Sequence, residues 1–214
     1  MSKKNIVIID YGMGNLRSIY NALKYLGVQS VIAEQAEALK GADAVILPGV
    51  GAFENGMNEL QRRNFIEAIY RYVDTGRPLL GICLGMQLLM SRSYEFGKHN
   101  GLNLIEGEVI PFQNKLVNGR YNFKVPHIGW NELRVHGAGW QNSLLDHLES
   151  GESMYFVHSF FAVPQQEDHM LAVTEYGNNK FCSVSKKDNV TGCQFHPERS
   201  ARMGLKILEN FIGT

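Results

Sequence analysis

Pro78-Leu-Leu-Gly-Ile-Cys83-Leu-Gly-Met-Gln87 is the stretch on which the fold turns. Its first half is a short, unbroken apolar run, the pattern of a strand covered on both faces, and residues 84–91 continue as a helix. Between the two lies Gly81-Ile-Cys83-Leu-Gly85, a G-x-C-x-G. A tight strand-to-helix turn of this kind lifts its central side chain off the carboxyl edge of an open sheet, where ligands of doubly wound folds bind. The following helix aims its positive end at the sulfur and favours the thiolate.

Working outward, residues 5–10 form a second apolar run, followed by the Gly12-Met-Gly14 turn. Asn15 is expected to cap a helix that carries Leu16, Ile19, Leu23 and Leu26 on one side and stops at Gly27. Residues 30–33 and 44–47 read as strands, the latter ending at Pro48-Gly-Val-Gly51. Residues 58–75 place Leu60, Ile66, Ile69, Tyr70 and Val73 on one face of a further helix, closed by Gly76. Strand alternating with helix predicts a doubly wound, mostly parallel α/β sheet. In the second half short strands are expected at 109–112, 153–158, 170–176, 181–185 and 190–195, separated by turns such as Gly177-Asn-Asn179. A last amphipathic helix carries Met203, Ile207, Leu208 and Phe211. The expectation is a single α/β domain over residues 1–214 with added antiparallel strands.

Composition narrows the class. The 214 residues carry 21 basic and 21 acidic side chains, so nothing suggests a nucleic-acid footprint or a polybasic membrane patch. No apolar run approaches the ~20 residues a membrane-spanning helix needs, and the run near the N-terminus is too short for a signal-peptide core. Three cysteines, an odd number without a pairing pattern, point to a reducing compartment and the cytoplasm. Cys182 and Cys193 read as small core residues. No spacing matches a zinc site, and neither a metal nor a cofactor is expected. His99, His136, His147 and His169 lie in polar stretches and read as solvated.

A cysteine nucleophile needs a base held by a third group. Gln194-Phe-His196-Pro-Glu198-Arg199 offers one at the end of a strand. Pro197 pushes His196 into extended geometry, which sets the side chains of His196 and Glu198 side by side. The carboxylate can then hold one imidazole nitrogen while the other faces a thiol. An attacked carbonyl also needs N–H donors for its developing negative charge. Leu84, directly after the nucleophile, supplies one, and the Gly-rich Pro48-Gly-Val50-Gly51 turn is the candidate for a second. That turn is not a phosphate-binding loop, because no Gly-Lys-Ser/Thr follows it.

Taken together, Pro48-Gly-Val-Gly51, Gly81-Ile-Cys-Leu-Gly-Met-Gln87 and His196-Pro-Glu198 resemble the class I, triad-type glutamine amidotransferases over essentially the whole chain. Three further segments are similar to the branch that serves imidazole glycerol phosphate synthases: Asp10-Tyr-Gly-Met-Gly-Asn-Leu-Arg-Ser18, Pro126-His-Ile-Gly-Trp-Asn131 and Tyr155-Phe-Val-His-Ser159. The resemblance implies a Cys83, His196 and Glu198 triad, with Val50, Gly51 and Leu84 at the oxyanion. It also implies that Gly51, Gln87, Glu95 and the Ser159-Phe160 backbone hold glutamine, and that Asn15, Trp130, Tyr155 and Arg199 sit at a subunit boundary. The implied partner is a (βα)8-barrel cyclase subunit in a heterodimer, which receives ammonia from glutamine. Ser91-Arg-Ser-Tyr-Glu-Phe-Gly97 departs from the acidic stretch that family would show after the nucleophile helix. The residues leave room for an ammonia supplier to another synthetase, such as one amidating surface sugars. A stand-alone γ-glutamyl amide hydrolase and a scaffold without turnover also remain open.

Overall fold

The computed structural model describes residues 4–213 apart from 115, 118, 119 and 138, and the backbone but not the side chains of 116, 117, 120 and 121. Strands β1 (Ile6–Ile9), β2 (Ser30–Ala33), β3 (Ala44–Gly49) and β4 (Leu79–Cys83) form most of the parallel part of an eight-stranded sheet. They alternate with helices α1 (Leu16–Tyr25), α2 (Phe53–Arg62), α3 (Phe65–Val73) and α4 (Leu84–Leu88). Every residue of β1, β3 and β4 is buried, as continuous apolar runs require. Successive side chains enter opposite cores: Ile6, Ile8, Ile46 and Leu80 pack with Ile19 and Leu23 of α1, whereas Val7, Val45, Leu47 and Leu79 pack with Leu60 of α2 and Ile69 of α3.

The second half supplies β5 (Gly107–Pro111), β6 (His127–Glu132), β7 (Ser153–His158), β8 (Phe160–Pro164), β9 (Met170–Tyr176), β10 (Asn179–Lys187), β11 (Val190–Cys193) and α5 (Ala201–Gly213). Across the main sheet the order is Arg134–Val135, β9, β10, β11, β4, β3, β1, β2. The five strands from β11 to β2 are parallel, and the remainder pair antiparallel. Strands β6 and β7 pair with each other, and β8 pairs with β5 in a second sheet. Among the described residues no helix is long and apolar enough to cross a membrane.

Several expectations shift. The single helix predicted over 58–75 is two helices, broken at Asn64, whose φ of 59° lies in the left-handed region that asparagine tolerates. Asn15 stands at the N-cap of α1 but makes no side-chain capping bond. The helix predicted over 84–91 keeps its regular form only to Leu88. The strand expected at 109–112 runs from 107 to 111, and that at 190–195 ends at Cys193. Strands β6 and β8 were not anticipated from the sequence. His99 is not solvated as expected: its side chain is only 20% exposed, 3.6 Å from Glu54. His169 also departs from that expectation, its Nδ1 being buried without a hydrogen-bond partner among the described residues.

Candidate active site

Cys83 closes β4 and opens α4 with φ 55° and ψ −111°. A non-glycine residue held at such a φ is strained, and the surrounding backbone must hold it there. That backbone is packed too tightly for side chains. A Cβ at Gly85 would overlap the carbonyl oxygen of Leu47 in β3, and one at Gly49 would run into the Tyr11 hydroxyl and the Leu84 Cβ. Gly49 is the register partner of Cys83 across the β3–β4 pair. The loop that follows bends through Gly51 at φ 105°. Val50 is 41% exposed between them, so the glycine-rich turn and the thiol share one edge of the sheet.

His196 reaches that edge from the end of β11 in the extended conformation expected before proline, with φ −101° and ψ 95°. Its Nδ1 lies 2.9 Å from Glu198 Oε1, and both side chains are almost wholly buried. Its backbone N–H donates to the Tyr155 carbonyl, while the Ser200 hydroxyl donates to the His196 carbonyl at 2.7 Å and accepts the Tyr155 N–H. The segment is thereby tied to β7. Among the described residues His196 Nε2 has no well-aligned hydrogen-bond partner, yet Cys83 is near enough to bias its titration. Burial pulls the imidazole down, but its interactions with Cys83 and with the hydrogen-bonded Glu198, and the charges of both, outweigh it and push the group up to about 10. Burial, with the charges of Glu198 and Cys83, holds the Cys193 thiol well above its ordinary value, and burial raises that of Cys182. Neither is a competing nucleophile.

A cavity of about 340 Å3 opens over the thiol. Larger clefts of about 570 and 850 Å3 lie beside α3 and α5, but neither is lined by a cysteine. The Cys83 cavity is lined by Val50, Gly51, Leu84, Gln87, Glu95, Ser159 and Phe160, the full set expected around oxyanion and substrate. His158, Val157 and Pro126 complete it. Gln87 has a fixed orientation. Its Nε2 donates to the Phe160 carbonyl at 2.9 Å and to Gln194 Oε1 at 3.1 Å, so a ligand would meet the Gln87 carbonyl oxygen. Glu95 Oε2 accepts the Phe53 N–H at 2.6 Å, which ties it to the first turn of α2 behind the glycine-rich loop. A carboxylate, an amide oxygen and a buried thiol with its own base suit an amide substrate that carries an ammonium group.

The family model for class I glutamine amidotransferases matches residues 7–213. The chain belongs to that family. Among curated relatives, the amidotransferase is 45% identical to an imidazole glycerol phosphate synthase subunit HisH 1 of Legionella pneumophila (strain Paris), over 97% of this chain and 98% of that one. It is 45% identical to subunit HisH of Syntrophotalea carbinolica (96% and 98%) and 44% identical to that of Lactococcus lactis (98% and 98%). Among solved structures, PurLQS from Thermotoga maritima aligns with a TM-score of 0.72 at 20% identity, covering 99% of this chain and 98% of that one. A glutamine amidotransferase from the same organism aligns at 0.61 and 16% identity, over 98% and 82%. At these identities the two structures speak for the fold, which is the expected α/β sheet.

The amidotransferase carries an aromatic edge beside the site. Trp130 of β6 meets Tyr155 of β7 edge-on at 6.1 Å, and the Arg199 guanidinium lies 4.5 Å over the Tyr155 ring. Trp130 is 55% exposed and its neighbour Ile128 60%, so the outer face of this hairpin presents apolar surface. Asn15 is half-buried at the start of α1, and α1 touches the 197–199 turn. Sequence reasoning missed His127, His158, Gln194 and Tyr11, all buried near the cavity. A signal was present for the two histidines. In Tyr155-Phe-Val-His158 and His127-Ile-Gly-Trp130 they fall on the inward phase of strand alternation, where a polar residue needs a reason. Among the described residues no group of three or more His, Cys, Asp or Glu side chains is placed to hold a metal ion.

Proposed function

We propose that the chain is the glutaminase subunit of an imidazole glycerol phosphate synthase, acting through Cys83, His196 and Glu198. The thiolate of Cys83 attacks the side-chain carbonyl carbon of glutamine, and the oxygen takes up the negative charge. Its donors are the Leu84 N–H and an N–H of the Val50–Gly51 strand. As the carbonyl re-forms, the C–N bond breaks and the His196 imidazolium gives its Nε2 proton to the leaving nitrogen, releasing ammonia. A γ-glutamyl thioester remains on Cys83. His196, now neutral, takes a proton from water, the hydroxide adds to the thioester, and collapse expels the thiolate and frees glutamate. Glu198 at 2.9 Å from Nδ1 keeps Nε2 directed at the sulfur and stabilises the imidazolium in both halves. The raised affinity of His196 for its proton suits this order, because the acid of the first step is already charged.

Glu95 and the Gln87 carbonyl oxygen are assigned to the α-ammonium group of glutamine, and the Ser159–Phe160 backbone to its other end. The reading is supported most by one observation: Cys83 at positive φ shares a buried corner with the His196–Glu198 pair. The names of the curated relatives favour histidine biosynthesis over the surface-sugar and stand-alone alternatives. The aromatic face of Trp130, Tyr155 and Arg199 is assigned to a (βα)8 cyclase barrel that receives the ammonia. Such a receiver is chemically needed, because ammonia set free in neutral water mostly protonates to ammonium, which is not a nucleophile. We place the complex in the cytoplasm, a reading supported by three cysteines that are all free.

The test is glutamate release from glutamine by the chain alone and with a cyclase barrel bearing its ribonucleotide ligand, with Cys83→Ala as the blank. Stimulation of 10²-fold or more, a rough estimate for assembling a catalytic hydrogen bond, and abolished in the variant, is expected. Labelling of Cys83 by a glutamine-like electrophile without any stimulation would keep the glutaminase and discard the barrel. No labelling would discard both.

A further inference from the structure

Two histidines that the mechanism does not use lie buried side by side. His127 and His158 are register partners across β6 and β7 and are 2% and 6% exposed. His127 Nδ1 is 3.1 Å from His158 Nε2, and His158 Nδ1 is 2.9 Å from the Phe160 carbonyl oxygen. The proton positions follow from the ends of the chain. A carbonyl only accepts, so His158 must carry its proton on Nδ1, which leaves Nε2 as an acceptor. His127 must then donate from Nδ1 and accept on Nε2. At 3.4 Å from that Nε2 lies Asn131 Nδ2, a nitrogen identified as a donor by its 2.8 Å bond to the Glu175 carbonyl. One arrangement of protons therefore satisfies every link.

The same Phe160 carbonyl accepts from Gln87 Nε2, which also donates to Gln194 Oε1, and Gln194 Nε2 approaches Cys83 Sγ at 3.8 Å. A continuous polar chain thus runs from the outer edge of the β6–β7 hairpin to the nucleophile. We propose that His127 and His158 are positioning residues that, as a neutral donor-to-acceptor pair, set the Phe160 carbonyl and the Gln87–Gln194 amides against the glutamine cavity and Cys83. The inference rests on the glutaminase reading and gives its substrate wall a second layer. Both imidazoles are built to stay uncharged. Burial holds His127 down to about 4, and burial, with the charges of His127 and His196, holds His158 down to about 3 against the pull of the Phe160 carbonyl. A proton added to either would set two N–H groups against each other. Stacking of His127 on Tyr176 at 3.9 Å and on Phe156 at 5.0 Å keeps the ring in plane.

The test pairs spectroscopy on the unaltered protein with kinetics on variants. In a 15N-histidine-labelled chain, His127 and His158 are expected as neutral Nδ1–H tautomers at pH 6 and 7. A proton on Nε2 of His158, or an imidazolium at either site, would overturn the proposal without reference to any activity. In the barrel complex, His158→Leu is expected to raise the KM for glutamine about tenfold while lowering kcat less, the signature of lost ground-state binding. His158→Asn, which keeps a donor at the δ position, is expected to return KM to within about threefold of the parent. Iodoacetamide labelling of Cys83, which needs no glutamine cavity, should stay within about twofold in all of them. A His158→Leu chain that folds and keeps the parental KM would sink the proposal, as would failure of His158→Asn to rescue. An unaltered complex that releases no glutamate would instead remove the glutaminase reading, and the tautomers would still decide the pair.

Discussion

On one side of the Cys83 cavity Gly49, Cys83 and Gly85 press main chain against main chain, and on the other His158, Phe160 and Gln87 are held by side-chain hydrogen bonds. The first wall belongs to the parallel half of the sheet, between β3, β4 and α4. Its backbone contacts have no charge state to lose, and their shape is set by what cannot fit. The second joins β7, β8 and the buried histidines of the antiparallel half to Gln87, which α4 contributes. It depends on which nitrogen carries a proton and can be disturbed without adding or removing volume. A strained nucleophile needs the first kind of support, since hydrogen bonds of ~1 kcal/mol could not hold an adverse backbone angle. A ligand pocket that must respond to a partner is better served by the second.

The comparison breaks most sharply at Gly85. The Cβ of Gly85→Ala would meet the Leu47 carbonyl, which belongs to the central strand β3 and has no rotamer to yield. We expect a loss of about 3 kcal/mol or more in urea unfolding, beyond ordinary overpacking against side chains. Glutaminase activity should fall with it as the turn around Cys83 opens. Unfolding within about 1 kcal/mol of the parent would mean that β3 and α4 can separate and that the backbone wall is soft.

The two walls were also unequally legible in the sequence. Apolar runs such as Ile6 to Ile9 and Leu79 to Cys83 could form only doubly covered strands, and Gly81, Cys83 and Gly85 between a run and a helix marked the turn directly. Pro197 fixed the local geometry of His196 and Glu198 before any tertiary contact was considered. Strand β6 escaped because its inward positions include His127, Gly129 and Asn131, which no hydrophobic pattern selects. Their reason for being inside lies in partners 31 and 44 residues away, at His158 and Glu175. Asn64 escaped for a smaller reason: its left-handed turn divides two helices without interrupting the apolar spacing that predicted one.

The side-chain wall is tested next, by acid. His127 and His158 titrate near 4 and 3 when folded, against 6.5 ordinarily. Between pH 6.5 and about 4 the unfolded chain binds protons that the folded chain refuses, so stability is full above 6.5 and falls with pH below it. At pH 5 each buried imidazole should cost roughly 2 kcal/mol relative to neutral pH. His158→Asn should therefore lose less stability than the parent between pH 7 and 5, although it is less stable at pH 7. Parallel stability curves for the two chains would show that the pair can accept a proton where it stands. Changing Gly85 should shift the curve without altering its slope, which separates the two walls by a single measurement.

The smallest expected effect lies where the walls meet, at Tyr11. Its ring is fully buried at the end of β1, its hydroxyl lies against Gly49, and among the described residues that hydroxyl has no hydrogen-bond partner. Burial, with the charge of Cys83 nearby, raises its pKa, so it remains a neutral phenol. A buried hydroxyl without a partner destabilises, and Tyr11→Phe keeps the ring while deleting it. We expect a gain of about 1 kcal/mol in urea unfolding with glutaminase activity unchanged. A gain in stability accompanied by a tenfold loss of activity would place the hydroxyl among the groups that act only once Gly49 and Val50 have shifted around a bound substrate. That outcome would move Tyr11 from the passive backbone wall to the responsive one. A loss of stability would show that the hydroxyl has a partner, and the unpaired group at the root of the glycine-rich turn would not exist.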